Sequence, residues 1–203
     1  MLAVLPGTLA KQLMRVVAIF VFLASVGSPA RATILQRLTL EELVQKSTSI
    51  VRARVIGSRA VVRGGDVFTL YDFETLETWK SAAVARQVAV PGGVAGGMRQ
   101  VVAGAPTLRT GRDYILFLWT SRSGLTQLTG MSQGLFCVER TTLGDVRASR
   151  PAAGELMLDA AGSAVRDEAL SMPLRELKAE VFKAIGVAVT AGATGTLAPR
   201  AGK

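Results

Sequence analysis

The chain has no histidine and only one cysteine among its 203 residues. Histidine is the commonest general base near neutral pH and the commonest zinc ligand, so its absence removes both. A Ser-His-Asp or Cys-His nucleophile cannot be assembled, and neither can an HExxH metal site. Carboxylate-only, Ser-Lys and cofactor chemistry stay formally open, but no motif for any of them is present, and no catalytic residue, metal ligand or cofactor is assigned. A single cysteine cannot form an intrachain disulfide. Cys137 lies in the apolar run Leu135-Phe136-Cys137-Val138, which predicts a buried, inert thiol. Acids are also scarce, with 15 Asp and Glu against 24 Lys and Arg, a formal charge of +9. The bases are spread along the chain. The densest stretch is Arg52, Arg54, Arg59 and Arg63, with Arg52 and Arg54 two apart on one strand face. Such a pattern reads as a solvated face and gives no reason to expect nucleic acid as a partner.

Long apolar runs are missing too. The longest, residues 16–26 (VVAIFVFLASV), is far short of the roughly 20 residues that cross a bilayer as a helix. Lys11 and Arg15 precede it, Gly27-Ser28-Pro29 breaks it, and Ala30-Arg31-Ala32 has the small-x-small form that a signal peptidase reads. Residues 1–32 are therefore expected to be an export signal cut before Thr33, with an uncleaved membrane anchor as the alternative. The expected location is periplasmic or extracellular, with the membrane met only in transit. Removing that segment takes away Lys11, Arg15 and Arg31 and no acid, so the formal charge falls to +6. The remainder, residues 33–187, is long enough for one domain held by burial alone. Residues 188–203 are small, polar and basic, and read as a disordered tail.

Within the domain, Thr39-Leu40-Glu41-Glu42 has the form of a capping box and predicts a short helix ending near Lys46. Residues 50–62 alternate, with Val51, Ala53 and Val55 on one face and Arg52 and Arg54 on the other. Arg63-Gly64-Gly65-Asp66 is a turn signal, and residues 67–79 predict the second arm of a long hairpin. A phase shift between Leu70 and Tyr71 suggests a bulge there. Residues 84–90 predict a strand with Val84, Val88 and Val90 inward, ended by Pro91-Gly92-Gly93. Residues 98–102, 125–129 and 135–140 predict further strands. Residues 114–119 (YILFLW) are nearly continuously apolar, as a strand covered on both faces would be. Signals weaken after Thr141. Residues 155–159 suggest a short strand, and residues 173–185 an amphipathic helix with Gly186 as its stop. Several short strands flanked by helices give a mainly β fold. An OB-like barrel is expected, with a two-sheet sandwich as the alternative.

Ser49-Ile50-Val51-Arg52-Ala53-Arg54-Val55, Val88-Ala89-Val90-Pro91-Gly92-Gly93, Gly104-Ala105-Pro106 with Gly111-Arg112-Asp113-Tyr114-Ile115-Leu116-Phe117-Leu118, and Gln133-Gly134-Leu135-Phe136 form an ordered set. The strand end Phe73-Glu74-Thr75-Leu76-Glu77-Thr78-Trp79-Lys80 belongs to it. Together they resemble a pattern in uncharacterised exported bacterial proteins, "V-x-V-P-G-G … G-x-P … G-x-x-Y-L-L-F-L … Q-G-x-F", over roughly half of the chain. That resemblance implies an exported β domain and no particular activity. The strand order is also distantly similar to netrin and metalloproteinase-inhibitor modules, which are OB-like. The inhibitors' N-terminal cysteine has no counterpart at Thr33, so only a fold analogy follows.

Three residues stand as candidate contacts. Trp79 and Lys80 end the long strand, where an aromatic at a barrel mouth either plugs the end or stacks on a ligand. Gln133, between Gly130 and Gly134, either bonds loop backbone or offers its amide to a ligand. Asp72 and Glu74 share a strand face, expected to meet Arg52 or Arg54 across the hairpin rather than a cation. The glycine-rich residues 91–97 lack the lysine of a phosphate loop and read as a flexible connection. The chain is expected to be an exported, non-catalytic binding domain for a protein or envelope component. A small-ligand carrier or sensor using the barrel mouth is the alternative, and an enzyme of unrecognised type is third.

Overall fold

A computed structural model describes residues 34–81 and 85–193, with side chains as far as residue 186. The export-signal reading, with Ala30, Ala32 and Thr33, falls outside the described residues, as does the inward Val84. Among the described residues no helix is long and apolar enough to cross a membrane.

The chain enters through β1 (Leu35–Gln36) and α1 (Leu40–Lys46). The capping box is present in full: the Glu42 amide donates to the Thr39 hydroxyl at 3.2 Å, and the Thr39 amide donates to the Glu42 carboxylate at 2.8 Å. That backbone hydrogen bond from Thr39 holds the Glu42 carboxyl below its ordinary pKa. Strands β2 (Ser49–Arg63) and β3 (Asp66–Ser81) then form the long hairpin. They turn through Gly64-Gly65, whose φ values of +64° and +90° suit a two-residue turn between twisted strands. β4 (Gln87–Pro91) lies antiparallel on β3. β5 (Gly93–Ala95) and β6 (Met98–Gln100) pair as a separate ribbon. β7 (Asp113–Thr120) runs antiparallel to β2, and β8 (Thr126–Leu128) antiparallel to β7. β8 then meets β4 in parallel through Ala89 and Gln127. The order β7-β2-β3-β4-β8 thus returns to β7, a closed five-strand ring with OB-like connectivity.

The sheet continues past the ring because one edge of β7 is divided. Its last residues bond β8, and its first bond β9 (Leu135–Arg140). β10 (Val146–Arg150) lies beyond β9. Next along the chain, β11 (Met157–Leu158) and β12 (Ala164–Val165) join β1 in a small three-stranded sheet. β13 (Leu170–Pro173) completes the extension on β10, and α2 (Leu174–Ala193) follows it.

Side-chain alternation along β2 and β7 feeds two separate cores. Val51, Ala53, Val55, Tyr114, Leu116 and Leu118 point into the ring with Tyr71, Phe73, Val88 and Val90. Ile50, Ile115 and Phe117 point outward, against α1 and α2, with Trp79, Phe136 and Leu177. The two-sided burial of β7 explains its nearly continuous apolar sequence.

Several expectations need correction. The alternation of β3 does not shift at Tyr71, which is buried in the ring beside Phe73. The irregularities fall elsewhere: Ile56 is the extra residue on β2, and Leu76 and Trp79 are extra on β3. Residues 91–97 are not merely a flexible connection, since most of them build the β5–β6 ribbon. β10 and β13 were not expected. Gly186 does not end α2, which runs on to Ala193 and into the stretch read as tail. Cys137 is half-buried rather than sealed in a core.

Candidate functional site

The candidate contacts do not meet at a barrel mouth. A bulge shifts the alternation of the residues that follow it, so the extra residue Leu76 in β3 turns Trp79 out of the ring. Trp79 is buried in the outer core, and its Nε1 donates to Glu77 Oε2 at 3.0 Å. Lys80 Nζ donates to the Val44 carbonyl of α1 at 2.6 Å, and burial lowers its pKa. Both residues fasten β3 to the helical layer. Gln133 is 1% exposed, in a 3₁₀ turn (Met131–Gly134) between β8 and β9. Its Oε1 accepts from the Leu38 amide at 2.8 Å, and its Nε2 donates to the Gln36 carbonyl at 2.9 Å. This amide ties the entering chain to the β8–β9 connection, the backbone-bonding role among the two expected.

The arginine and acid pattern of the hairpin is a set of ion pairs. Arg54 lies opposite Glu74 in register, but both Arg52 and Arg54 bond Asp113 of β7, at 3.2 and 2.7 Å. Burial raises the pKa of Asp113, but the hydrogen bonds from the two guanidiniums outweigh it and bring the carboxyl below its ordinary value. Arg59 pairs with Asp72 at 3.0 Å, and Gln87 also donates to Asp72, at 2.6 Å. Among the described residues no three Cys, Asp or Glu side chains gather as a metal site would require.

A groove of about 480 Å³ lies beside the ring. It exists because the inward face of the sheet continues past the ring onto β9 and β10. Leu135 and Cys137 of β9 and Ser149 of β10 form its floor next to Tyr114. The connection before β7 (residues 104–112) makes one wall, and residues 151–155 make the other. The first wall is pinned from inside: Leu108 is buried in the ring core, and Tyr114 Oη accepts from the Arg109 amide at 2.9 Å. The second is anchored by a buried ion pair behind the sheet. Arg150 Nη2 lies 3.0 Å from Asp167 Oδ1, and Asp167 Oδ2 accepts from the Ala153 amide at 2.8 Å.

The groove's chemistry is mixed. Arg112 and Glu139 pair across its rim at 3.0 Å. Arg109 and Glu155 also line it, and neither forms an ion pair with a described residue. Ser132 lines it too, and the buried Oγ of this serine has no hydrogen-bond partner. The residue before it, Met131, holds φ at +59°, which is costly for a side chain other than glycine. Cys137 Sγ lies 3.7 Å from Glu139 Oε1. Burial first, and then the Glu139 charge, push the thiol pKa up, so it stays protonated and is a poor nucleophile.

Sequence reasoning did not find this groove. Its walls come from short stretches rich in Gly, Ala and Pro, and its floor is completed by β10, a strand that the alternation did not show. The available signal was the pairing of Gly104-Ala105-Pro106 with Arg109 and Arg112 just before the most apolar strand. The chain matches no protein-family model, no curated protein and no solved structure in the comparisons made.

Proposed function

We propose that this chain is an exported, non-catalytic binding domain and that it takes a small ligand in the groove between residues 104–112 and the β9–β10 extension. The single observation that carries the reading is the groove itself. Its volume of about 480 Å³ falls within the range of small-molecule sites, about 300–1,000 Å³. It has a mostly apolar lining with a few convergent polar groups, the usual composition of such sites. The absence of histidine from the whole sequence and the protonated state of Cys137 support binding over chemistry. The proposed seat differs from the barrel mouth suggested by Trp79 and Gln133, because those side chains are occupied in fastening layers.

The test is a thermal-shift screen of the purified protein against fractionated envelope extract. At least one fraction should raise the melting temperature. Ser149→Tyr, which fills the groove floor, should abolish that rise while the variant still folds by circular dichroism. A rise that survives Ser149→Tyr, or no active fraction at all, would count against the groove.

A second reading, a protein partner, draws on the β5–β6 ribbon. Val94 on the ribbon and Val101 just after it are 67% and 81% exposed. Charge substitutions at these two positions that abolish capture of one defined exported protein would favour that reading.

A further inference from the structure

We infer that the groove is a zwitterion site, taking an α-amino acid or short peptide with an apolar side chain through its free ammonium and carboxylate. The inference rests on the groove being a ligand seat, and adds the class of ligand.

Four charged side chains line the groove, and two neutralise each other. Arg112 and Glu139 are joined at 3.0 Å and are spoken for. Arg109 and Glu155 remain, one charge of each sign, and they do not pair with each other. A neutral amphiphile would gain from neither charge. A simple anion would gain from Arg109 and meet repulsion from Glu155, and a simple cation the reverse. A molecule carrying both charges satisfies both, through the charge-assisted hydrogen bonds that are the stronger kind.

Both charged groups stand on well-supported backbone. Arg109 follows the buried Leu108, and its amide is held by Tyr114 at 2.9 Å. Glu155 packs over Gly104, where a Cβ would sit 3.2 Å from the Glu155 carboxyl carbon. That glycine, with φ at +76°, leaves room for the acid to lie along the wall. Leu135 on the floor, with Pro106 and Pro151 on the walls, offers apolar surface for a side chain.

Calorimetry on the purified protein tests the class with leucine, leucyl-leucine, N-acetyl-leucyl-leucine and leucyl-leucinamide. Leucine or leucyl-leucine should bind, and leucyl-leucine should bind about tenfold tighter than either capped form. Arg109→Gln should erase only the preference over the amide, and Glu155→Gln only the preference over the acetylated form. Both side chains lie at the surface, so both variants should keep the parent melting temperature. Tighter binding of leucine than of the dipeptide would make the site one for free amino acids, and the reverse one for peptides. Equal binding of free and capped dipeptides would overturn the zwitterion assignment and leave the groove as a ligand seat. No binding by any of the four, with an envelope fraction still acting through the groove, would do the same. No binding by any of the four, with no fraction acting either, would overturn both readings.

Discussion

The inside of the ring and the layer outside it share strands β2 and β7 and are filled with much the same kinds of residue, yet they are held together differently. Tyr71, Phe73 and Tyr114 lie among Val, Leu and Ala side chains inside the ring. Trp79, Phe117 and Phe136 lie among a similar aliphatic set outside it. The two regions differ in polar content. Main-chain bonds around the ring set its register, whereas helices on a flat face can slide. The outer layer accordingly carries side-chain tethers: Lys178 to Glu77 at 2.9 Å, Lys80 to the Val44 carbonyl, and Ser47 to Thr129 at 2.9 Å. Closure holds one region, and directed polar contacts hold the other.

Breaking a buried polar contact outside the ring should therefore cost more than trimming the ring, and breaking a solvated tether less. The largest effect is expected at Asp167. Arg150 is 6% exposed, and its Nε and Nη1 already lack partners. Asp167→Ala leaves a buried cation uncompensated and should destabilise by about 3–5 kcal/mol in urea unfolding. A loss below about 1 kcal/mol would mean that the pair anchors nothing. Next comes the junction where the divided edge of β7 parts its two partners. A Cβ at Gly134 would lie 2.3 Å from the Thr129 carbonyl oxygen and 3.2 Å from that of Phe117. Gly134→Ala should cost about 1–3 kcal/mol, while Gly154→Ala, with open space around it, should cost almost nothing.

The independence of the two cores can be tested on one strand. Leu116→Val trims the ring and Phe117→Leu trims the outer layer, each at about 1–2 kcal/mol. If the cores are separate, the double variant should equal the sum within about 0.5 kcal/mol. A coupling above about 1 kcal/mol would show that the strand backbone transmits one cavity to the other face.

The smallest effect concerns Glu77. Its carboxyl is held below the ordinary value by hydrogen bonds from Lys178 and then Trp79, with burial opposing them. The pair is partly solvated, so Glu77→Gln should cost only about 0.5–1 kcal/mol at neutral pH. A carboxyl depressed in the folded state contributes stability that is full above its unfolded value, about 4.3, and lost as pH falls through the folded one. The difference between parent and variant should thus shrink below about pH 4. An undiminished difference at pH 2 would mean that the charge on Glu77 is not what matters.

Legibility followed the same division. The hairpin, β7, β9 and α1 could be read because each announces itself locally: a glycine pair between alternating arms, an apolar run, a capping box. The ring was expected from several short strands between flanking helices and from the long first hairpin. What failed was parity. One extra residue in β3, Leu76, reverses the simple alternation and carries Trp79 to the opposite side from the one the pattern implies. β10 was hidden because Arg150 points into the protein, and a buried arginine is indistinguishable from a surface one in sequence. β13 contains Pro173, which is tolerated on the outermost strand. The groove was invisible for a related reason: it is made by what fails to cover the sheet, and no residue type marks that.

The ring's closure between β4 and β8 rests on one registered pair, Ala89 with Gln127. Every other junction of the ring has several. A cylinder with one short seam has a preferred place to breathe. Amides flanking that seam should exchange with solvent well before those of β2 and β7, because local opening there breaks the fewest bonds. Such early exchange would give the ring one soft side, set apart from the wall that it shares with the groove.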